Sequence, residues 1–360
     1  MNIGILAQLK QSKVTGINRV TLGTLSELQK MDKENKYFFL GNTQWLPIQL
    51  DTIDLLYSST DPLALNFALA SHHLDIVHSH YRPFEFHSAL RCGRILTIHD
   101  LIPFLHPEWN NNQYDYFDGP IRRCAQSADV VIAVSQCTKR DLVEHFHIPE
   151  KKIRVVYSGL YPKTLFSSDD KEKPIPGLER ENFLIMVSAV GANKNHVGLI
   201  KAFLQFRTHH PESNIKLVIT GPIRQFQVVR DVIEMYPNLS ESVVFTGFVS
   251  DEELVWLYRN SLAFSYVSFY EGFGLPILEA LSVGKAVICS ETSSMPEVGG
   301  EAAEYCNPYD IDSIEEAIAH VVLCEERRKE LEKKTFLQAA KFSYENTARE
   351  TLNIYNMFAK

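Results

Sequence analysis

Two glutamates eight positions apart, Glu271 and Glu279, enclose the run Gly272-Phe273-Gly274-Leu275-Pro276 within FYEGFGLPILEALSVGK. Two glycines and a proline fit neither regular helix nor ordinary strand, so the run reads as a loop that opens a helix at Pro276. Such a loop presents the backbone amides of Phe273, Gly274 and Leu275 as unsatisfied donors, a ready site for an anion. Glu279, in the first helical turn, suits the two hydroxyls of a vicinal diol, and Glu271 suits a second polyol. Phosphate at the amides with a diol on each side describes a nucleotide-sugar. The plainer reading is a strand–loop–helix crossover in which Glu279 merely complements the helix dipole. The spacing alone does not separate the two.

Other chemistry-bearing residues stand at strand ends. His99 and Asp100 follow RILTI, and Lys194 lies in GANKNH after the strand FLIMV. His78 and His80 in DIVHSHY alternate to one side of their strand and are candidate acceptor contacts. Asp310-Ile311-Asp312 spells D-x-D, but Asp312 also opens a capping-box pattern with Glu315, so it reads as a helix cap and no metal is expected.

These residues need a frame, and the chain alternates short apolar runs with helical patterns from end to end. Strands are expected at 2–7, 37–41, 75–80, 94–100, 129–135 and 152–159, then at 183–190, 215–221, 242–247, 262–268, 286–290 and 302–306. Helices fit between them at 16–30, 62–71, 118–127, 136–146, 195–207, 224–235, 250–258, 276–283 and 312–325, with two more in 327–358. Such alternation argues for α/β domains with parallel sheets covered on both faces. The charged, proline-containing stretch SSDDKEKPIPGLERE reads as a linker over 167–181. The expected division is 1–166, then 182–340, with 341–360 returning to pack on the first domain.

Composition narrows the class. A length of 360 residues asks for two cores, and 45% hydrophobic with 22% charged residues is ordinary for a soluble globular chain. The net charge of −8 argues against general nucleic-acid binding. The six cysteines, at 92, 124, 137, 289, 306 and 324, show neither C-x-x-C nor metal-ligand spacing. No signal peptide and no long apolar run is evident, so a cytoplasmic setting is expected, with docking on the inner face of a membrane left open. The basic residues between Lys10 and Lys36 would suit an anionic lipid-linked acceptor, or simply a solvated helix.

The loop and its surroundings resemble the donor signature of the large E-x7-E family of retaining GT-B glycosyltransferases. The likeness is carried by VVFTGFVSDEELVWLYRNSLAFSYVSFYEGFGLPILEALSVGKAVICSETSSMPEVGGEAAEYCNP, and in the first half by TIHDLIPFLHPEW, SADVVIAVSQCTKRDL and KIRVVYSG. It implies two doubly wound Rossmann-like domains facing across a cleft. It further implies that Glu279 holds the nucleotide ribose and that Glu271 contacts donor-sugar hydroxyls. Phe273, Gly274 and Leu275 would lie near the diphosphate, as would the glycine loop Thr15-Gly16-Ile17-Asn18-Arg19. His99 would lie near the reacting carbon, and Lys194 would meet the leaving phosphate. Where the family commonly has arginine before this lysine, the chain has Asn193, which lacks both the charge and the fork of a guanidinium. Arg224 is a candidate compensator.

The implied chemistry is transfer of a hexose with retention, from GDP-mannose first and UDP- or dTDP-sugars otherwise, to a glycan or lipid-linked acceptor. Neither a cofactor nor a metal is implied. A catalytically weak or inactive nucleotide-sugar-binding subunit is the alternative, favoured by Asn193. A pyridoxal-dependent phosphorylase lacks its lysine motif here, and a nicotinamide dehydrogenase would need G-x-G-x-x-G after an early strand.

Overall fold

The computed structural model describes residues 1–7, 16–40, 51–53, 73–80, 92–109, 114–160, 172–178, 182–187, 191–221 and 226–359. The chain divides into two compact units, Met1–Tyr161 with Phe342–Lys360, and Pro162–Lys341. The expected linker, 167–181, is described only from 172 to 178. There it is fastened to the second unit, with Lys173 on Glu253 at 2.7 Å and Arg259 on Glu172 at 2.7 Å.

The first unit runs β1 (Asn2–Ala7), α1 (Gly16–Met31), β2 (Lys36–Leu40), β3 (Asp51–Ile53), β4 (Ile76–His80), β5 (Gly93–Ile98), β6 (Val130–Ala133), α2 (Gln136–Phe146) and β7 (Ile153–Val155). Its strands pair in parallel in the order β3-β2-β1-β4-β5-β6-β7. Every residue of β4 and β6 is buried, as strands covered on both faces must be. An irregular helical stretch, with a π-turn over Phe117–Ile121 that contains Pro120, precedes β6. The helix expected over 62–71 lies outside the described residues.

In the second unit follow β8 (Phe183–Val187), α3 (His196–His209), β9 (Lys216–Thr220), α4 (Phe226–Glu234), β10 (Val243–Gly247), α5 (Asp251–Asn260) and β11 (Ala263–Tyr266). Then come α6 (Leu275–Ser282), β12 (Val287–Ser290), α7 (Met295–Gly299), β13 (Ala303–Cys306), α8 (Ile311–Leu323) and α9 (Glu325–Ala339). The strand order is β10-β9-β8-β11-β12-β13, again parallel throughout. In both sheets the strand order therefore reverses beside the first strand, at β1/β4 and β8/β11. At such points the loops after neighbouring strands diverge and leave room for a ligand.

Local signals set several boundaries. Ser250 and Glu253 form a reciprocal capping box on α5. After α6, Gly284 takes φ +81° and closes a Schellman turn, Lys285 N–H on Ala280 O and Gly284 N–H on Leu281 O, both at 3.1 Å. The cap of α8 departs from expectation. Asp310, not Asp312, accepts the first-turn amide, that of Asp312 at 3.0 Å, because an aspartate bonds most readily two residues ahead. Asp312 instead accepts from Gln205 at 2.7 Å.

The last helix, α10 (Tyr344–Asn356), belongs to the first unit, with Thr347 Oγ1 donating to Tyr157 O at 2.8 Å. It also reaches His78, a residue expected to serve an acceptor. Both ring nitrogens are engaged inside the unit, Nδ1 with the Tyr355 hydroxyl and Nε2 with Thr97 Oγ1, each at 2.7 Å. Only 1% of His78 is exposed, so it is a core residue bracing β4, β5 and α10. Its expected acceptor role gives way to that.

Burial depresses His78 to about 3 and His99 to about 4, and drives His80 well below the ordinary histidine value. The unfolded chain binds these protons near pH 6.5 while the folded chain does not. Stability is therefore complete above that pH and falls as pH drops toward 4, by about 1.4 kcal/mol per histidine per pH unit. His78→Gln should flatten the slope of thermal stability between pH 6 and 4.5 by about one proton's worth. A slope equal to that of the unaltered protein would contradict the burial of a neutral His78.

Candidate functional site

The β8/β11 switch point in the second unit gathers most of the residues singled out by chemistry. After β8, Ala192–Lys194 form a single 3-10 turn, and Asn195 follows with φ 54°. Asn195 caps α3 through Gly198 N–H at 3.1 Å. Its amide also donates to Val267 O at 3.1 Å and Pro308 O at 2.8 Å, tying this turn to the loops after β11 and β13. An asparagine three residues ahead of a glycine-led apolar run is a legible cap signal, although its cross-links are not.

The turn delivers Lys194 to Glu271. Nζ lies 2.7 Å from Glu271 Oε1 and 2.9 Å from the Tyr266 hydroxyl, 77 and 72 residues away in sequence. Their side chains keep 20% and 10% of full exposure, so the pair is largely withdrawn from water. Burial alone would lower the lysine's pKa. The Glu271 carboxylate, followed by Tyr266, overrides it and holds Lys194 above the ordinary lysine value, charged at physiological pH. An ammonium has three protons, and these contacts use two of them.

Asn193 faces the same loop. Its Nδ2 donates to Tyr270 O at 3.2 Å and to Glu271 Oε1 at 3.4 Å, and its carbonyl accepts from Phe269 N–H at 2.8 Å. Where an arginine would bring charge, Asn193 brings a cross-link between the loops after β8 and β11.

A second set of contacts comes from the last residue of β12 and the loop after it, which the sequence does not single out. Ser290 Oγ donates to Ser268 O at 2.6 Å and Thr292 Oγ1 to Phe269 O at 3.0 Å. Glu271 N–H donates to Ser293 Oγ at 3.0 Å. Ser294 Oγ, fully buried, lies 2.9 Å from Glu271 O and 2.8 Å from Phe273 O. The signal was present as four hydroxyls in SETSS, but nothing local says what they hold.

Gly274 takes φ +106°, which only glycine adopts cheaply, and becomes the N-cap of α6. Leu275 is thus the first helical residue and Pro276 the second, one position later than expected. Among the described residues the amides of Gly274 and Leu275 donate to no protein acceptor. Further along, the carboxylate of Glu279, 7% exposed, accepts from the buried Tyr258 hydroxyl at 2.9 Å. A cavity of about 360 Å³ adjoins the back of this corner, between Gly191, Asn195, Lys201, Val229, Phe269 and Tyr309. Lys194, Glu271 and Glu279 do not line it.

Four candidates fall in the first unit. His80 ends β4 and His99 follows β5, both buried, with the His80 ring 4.2 Å from that of His78. Asp100 accepts from Ile102 N–H at 3.0 Å, which accounts for the acid beside His99. Gly16 opens α1, while Thr15, like Arg224 in the second unit, lies outside the described residues. No cluster of three or more metal-ligating side chains stands among the described residues, and no helix there is long and apolar enough to cross a membrane.

Two parallel sheets of this order, with a paired lysine and glutamate at one switch point, define a GT-B glycosyltransferase fold. Residues 168–338 match the family model for glycosyl transferases group 1, and residues 45–163 that for glycosyltransferase family 4. The chain belongs to this glycosyltransferase family. It is 28% identical to O-antigen chain mannosyltransferase B of Escherichia coli over 73% of this chain and 70% of that one. It is 27% identical to the serotype-specific mannosyltransferase WbdA of E. coli, of which it spans about a third (32%). A glycosyltransferase from Rickettsia africae superposes with a TM-score of 0.74 at 17% identity, covering 99% of this chain and 98% of that one. Anabaena HepE in complex with UDP and glucose gives 0.73 at 16% identity, covering 99% and 100%.

The buried pair sets an expectation independent of any ligand. Lys194→Met and Glu271→Gln should each destabilise the fold, and the double variant should lose less than their sum, by a coupling of about 1–3 kcal/mol. Denaturant unfolding of the four proteins measures it, and additivity within experimental error would dissolve the pair as an energetic unit.

Proposed function

We propose that the chain is a retaining hexosyltransferase that moves mannose from GDP-mannose to a glycan or lipid-linked acceptor during surface-polysaccharide assembly. One observation carries this reading: Lys194 and Glu271 are paired at 2.7 Å beside the free amides of Gly274 and Leu275. The amides and the remaining Lys194 proton suit a diphosphate, whose charge grows as the glycosidic bond breaks. The Glu271 carboxylate suits the hydroxyls of the hexose, and Glu279, braced by Tyr258, suits those of the ribose. Mannose and a polysaccharide acceptor are supported by relatives that carry those names.

In the retaining step the leaving diphosphate oxygen accepts the acceptor's proton on the face it vacates, so no protein nucleophile is needed. His99 is neutral in this pH range and contributes a hydrogen bond near the reacting carbon rather than charge. His80 remains the candidate acceptor contact. The mechanism requires no metal, because Lys194 and the amides take the developing charge. A lipid-linked acceptor would place the enzyme at the inner membrane face as a peripheral protein of the cytoplasm. The neutral, backbone-bound Asn193 favours a second reading, a nucleotide-sugar-binding subunit with little turnover of its own.

Thermal shift against GDP-mannose, UDP-glucose and dTDP-rhamnose should select GDP-mannose. Its slow hydrolysis by the purified protein should fall about a hundredfold in Lys194→Ala. Glu279→Ala should weaken GDP binding about tenfold, while Glu271→Ala should cost turnover far more than GDP affinity. Binding without hydrolysis in the unaltered protein would favour the subunit reading, and equal effects of both glutamates on GDP affinity would refute their separate roles.

A further inference from the structure

We infer that Ser293 is a positioning residue for Glu271, and that its left-handed backbone is strain retained for turnover. The inference rests on the donor site proposed above. Ser293 has φ 54°, a region that L-residues other than asparagine, aspartate and histidine rarely enter. Three other described non-glycine residues share that region: His147 and Asn195 each cap a helix, whereas Ser293, like the turn residue His73 with φ 49°, caps none.

Its geometry has a reason. In an extended chain successive side chains point to opposite sides. Yet Thr292, Ser293 and Ser294 all bond to one short segment, at Phe269 O, Glu271 N–H, and Glu271 O with Phe273 O. A left-handed residue in the middle breaks the alternation and turns three consecutive hydroxyls to the same loop. As a result both backbone polar groups of Glu271 are fixed from the β12 side, while Lys194 and Asn193 fix its carboxylate from the β8 side. Displacing a contact group by about 1 Å is enough to cost up to a hundredfold in rate.

Two substitutions separate positioning from plain stability. Ser293→Gly removes the hydroxyl and relieves the backbone, whereas Ser293→Ala removes the hydroxyl and keeps the strain. We expect Ser293→Gly to melt a few degrees above Ser293→Ala. Both should turn over GDP-mannose about ten- to hundredfold more slowly, with GDP affinity changed less than about threefold. A Ser293→Gly protein with wild-type turnover would overturn the inference while leaving the donor site standing. Failure of the unaltered protein to act on any nucleotide-sugar would overturn both. Loss of turnover only in proportion to lost folded protein would mark Ser293 as structural and end the proposal.

Discussion

An ammonium withdrawn from water must find a negative partner or lose its proton, and the second unit is organised around meeting that demand at Lys194. The partner, Glu271, is 77 residues away, so the contact exists only if the loops after β8 and β11 emerge side by side. The strand order β10-β9-β8-β11-β12-β13 supplies that adjacency, and no other neighbour of β8 in the sheet would. Tyr266, the last residue of β11, adds a hydroxyl at 2.9 Å and so ties the pair to the sheet itself. The ion pair is thus a consequence of topology before it is a matter of chemistry.

A pair of this kind is only as well placed as the backbone beneath it. The segment from Ser268 to Gly274 is buried except at the half-buried Phe269 and Tyr270, and irregular, so its peptide groups cannot satisfy one another. Four hydroxyls of Ser290, Thr292, Ser293 and Ser294 answer that need, and Asn193 answers it from the opposite side. Side-chain oxygens and amides do here what ladder bonds do in a strand. The loop can therefore be rigid without being regular, as the donor site proposed above requires.

The framework was readable because strands buried on both faces are written as near-continuous Val and Ile, a signal that needs no knowledge of neighbours. VVIA and VICS became β6 and β12 with their ends trimmed by a residue or two, as hydrogen bonding stops before hydrophobicity does. Asp51–Ile53 escaped because three residues carry no periodicity. Glu271, Glu279 and Lys194 could be picked out by type and spacing. Tyr258, Tyr266 and Ser294 could not, since each acts on a residue more than ten positions away and looks locally like core or cap. His78 misled for the opposite reason. Its position on a strand end suggested a ligand, while the partners that absorb both its nitrogens lie on β5 and on a helix 277 residues later.

Asn193 shows how the site balances charge against rigidity. Lys194 and Glu271 cancel formally and an asparagine adds nothing to the sum, so in the proposed donor site backbone dipoles would join the one remaining Lys194 proton in attracting an anion. The amides of Gly274 and Leu275 provide those dipoles at the start of α6, fixed in direction by a left-handed glycine and needing no counter-charge of their own. An arginine at 193 would bring a second buried cation, and with it a second desolvation cost to be met. The neutral amide instead spends its hydrogen bonds on Tyr270 O and Glu271, holding still the carboxylate that the remaining cation needs. For the donor site proposed above, fewer charges held more firmly suit a loop that relies on main-chain dipoles, because preorganised dipoles pay no reorganisation cost when charge develops against them.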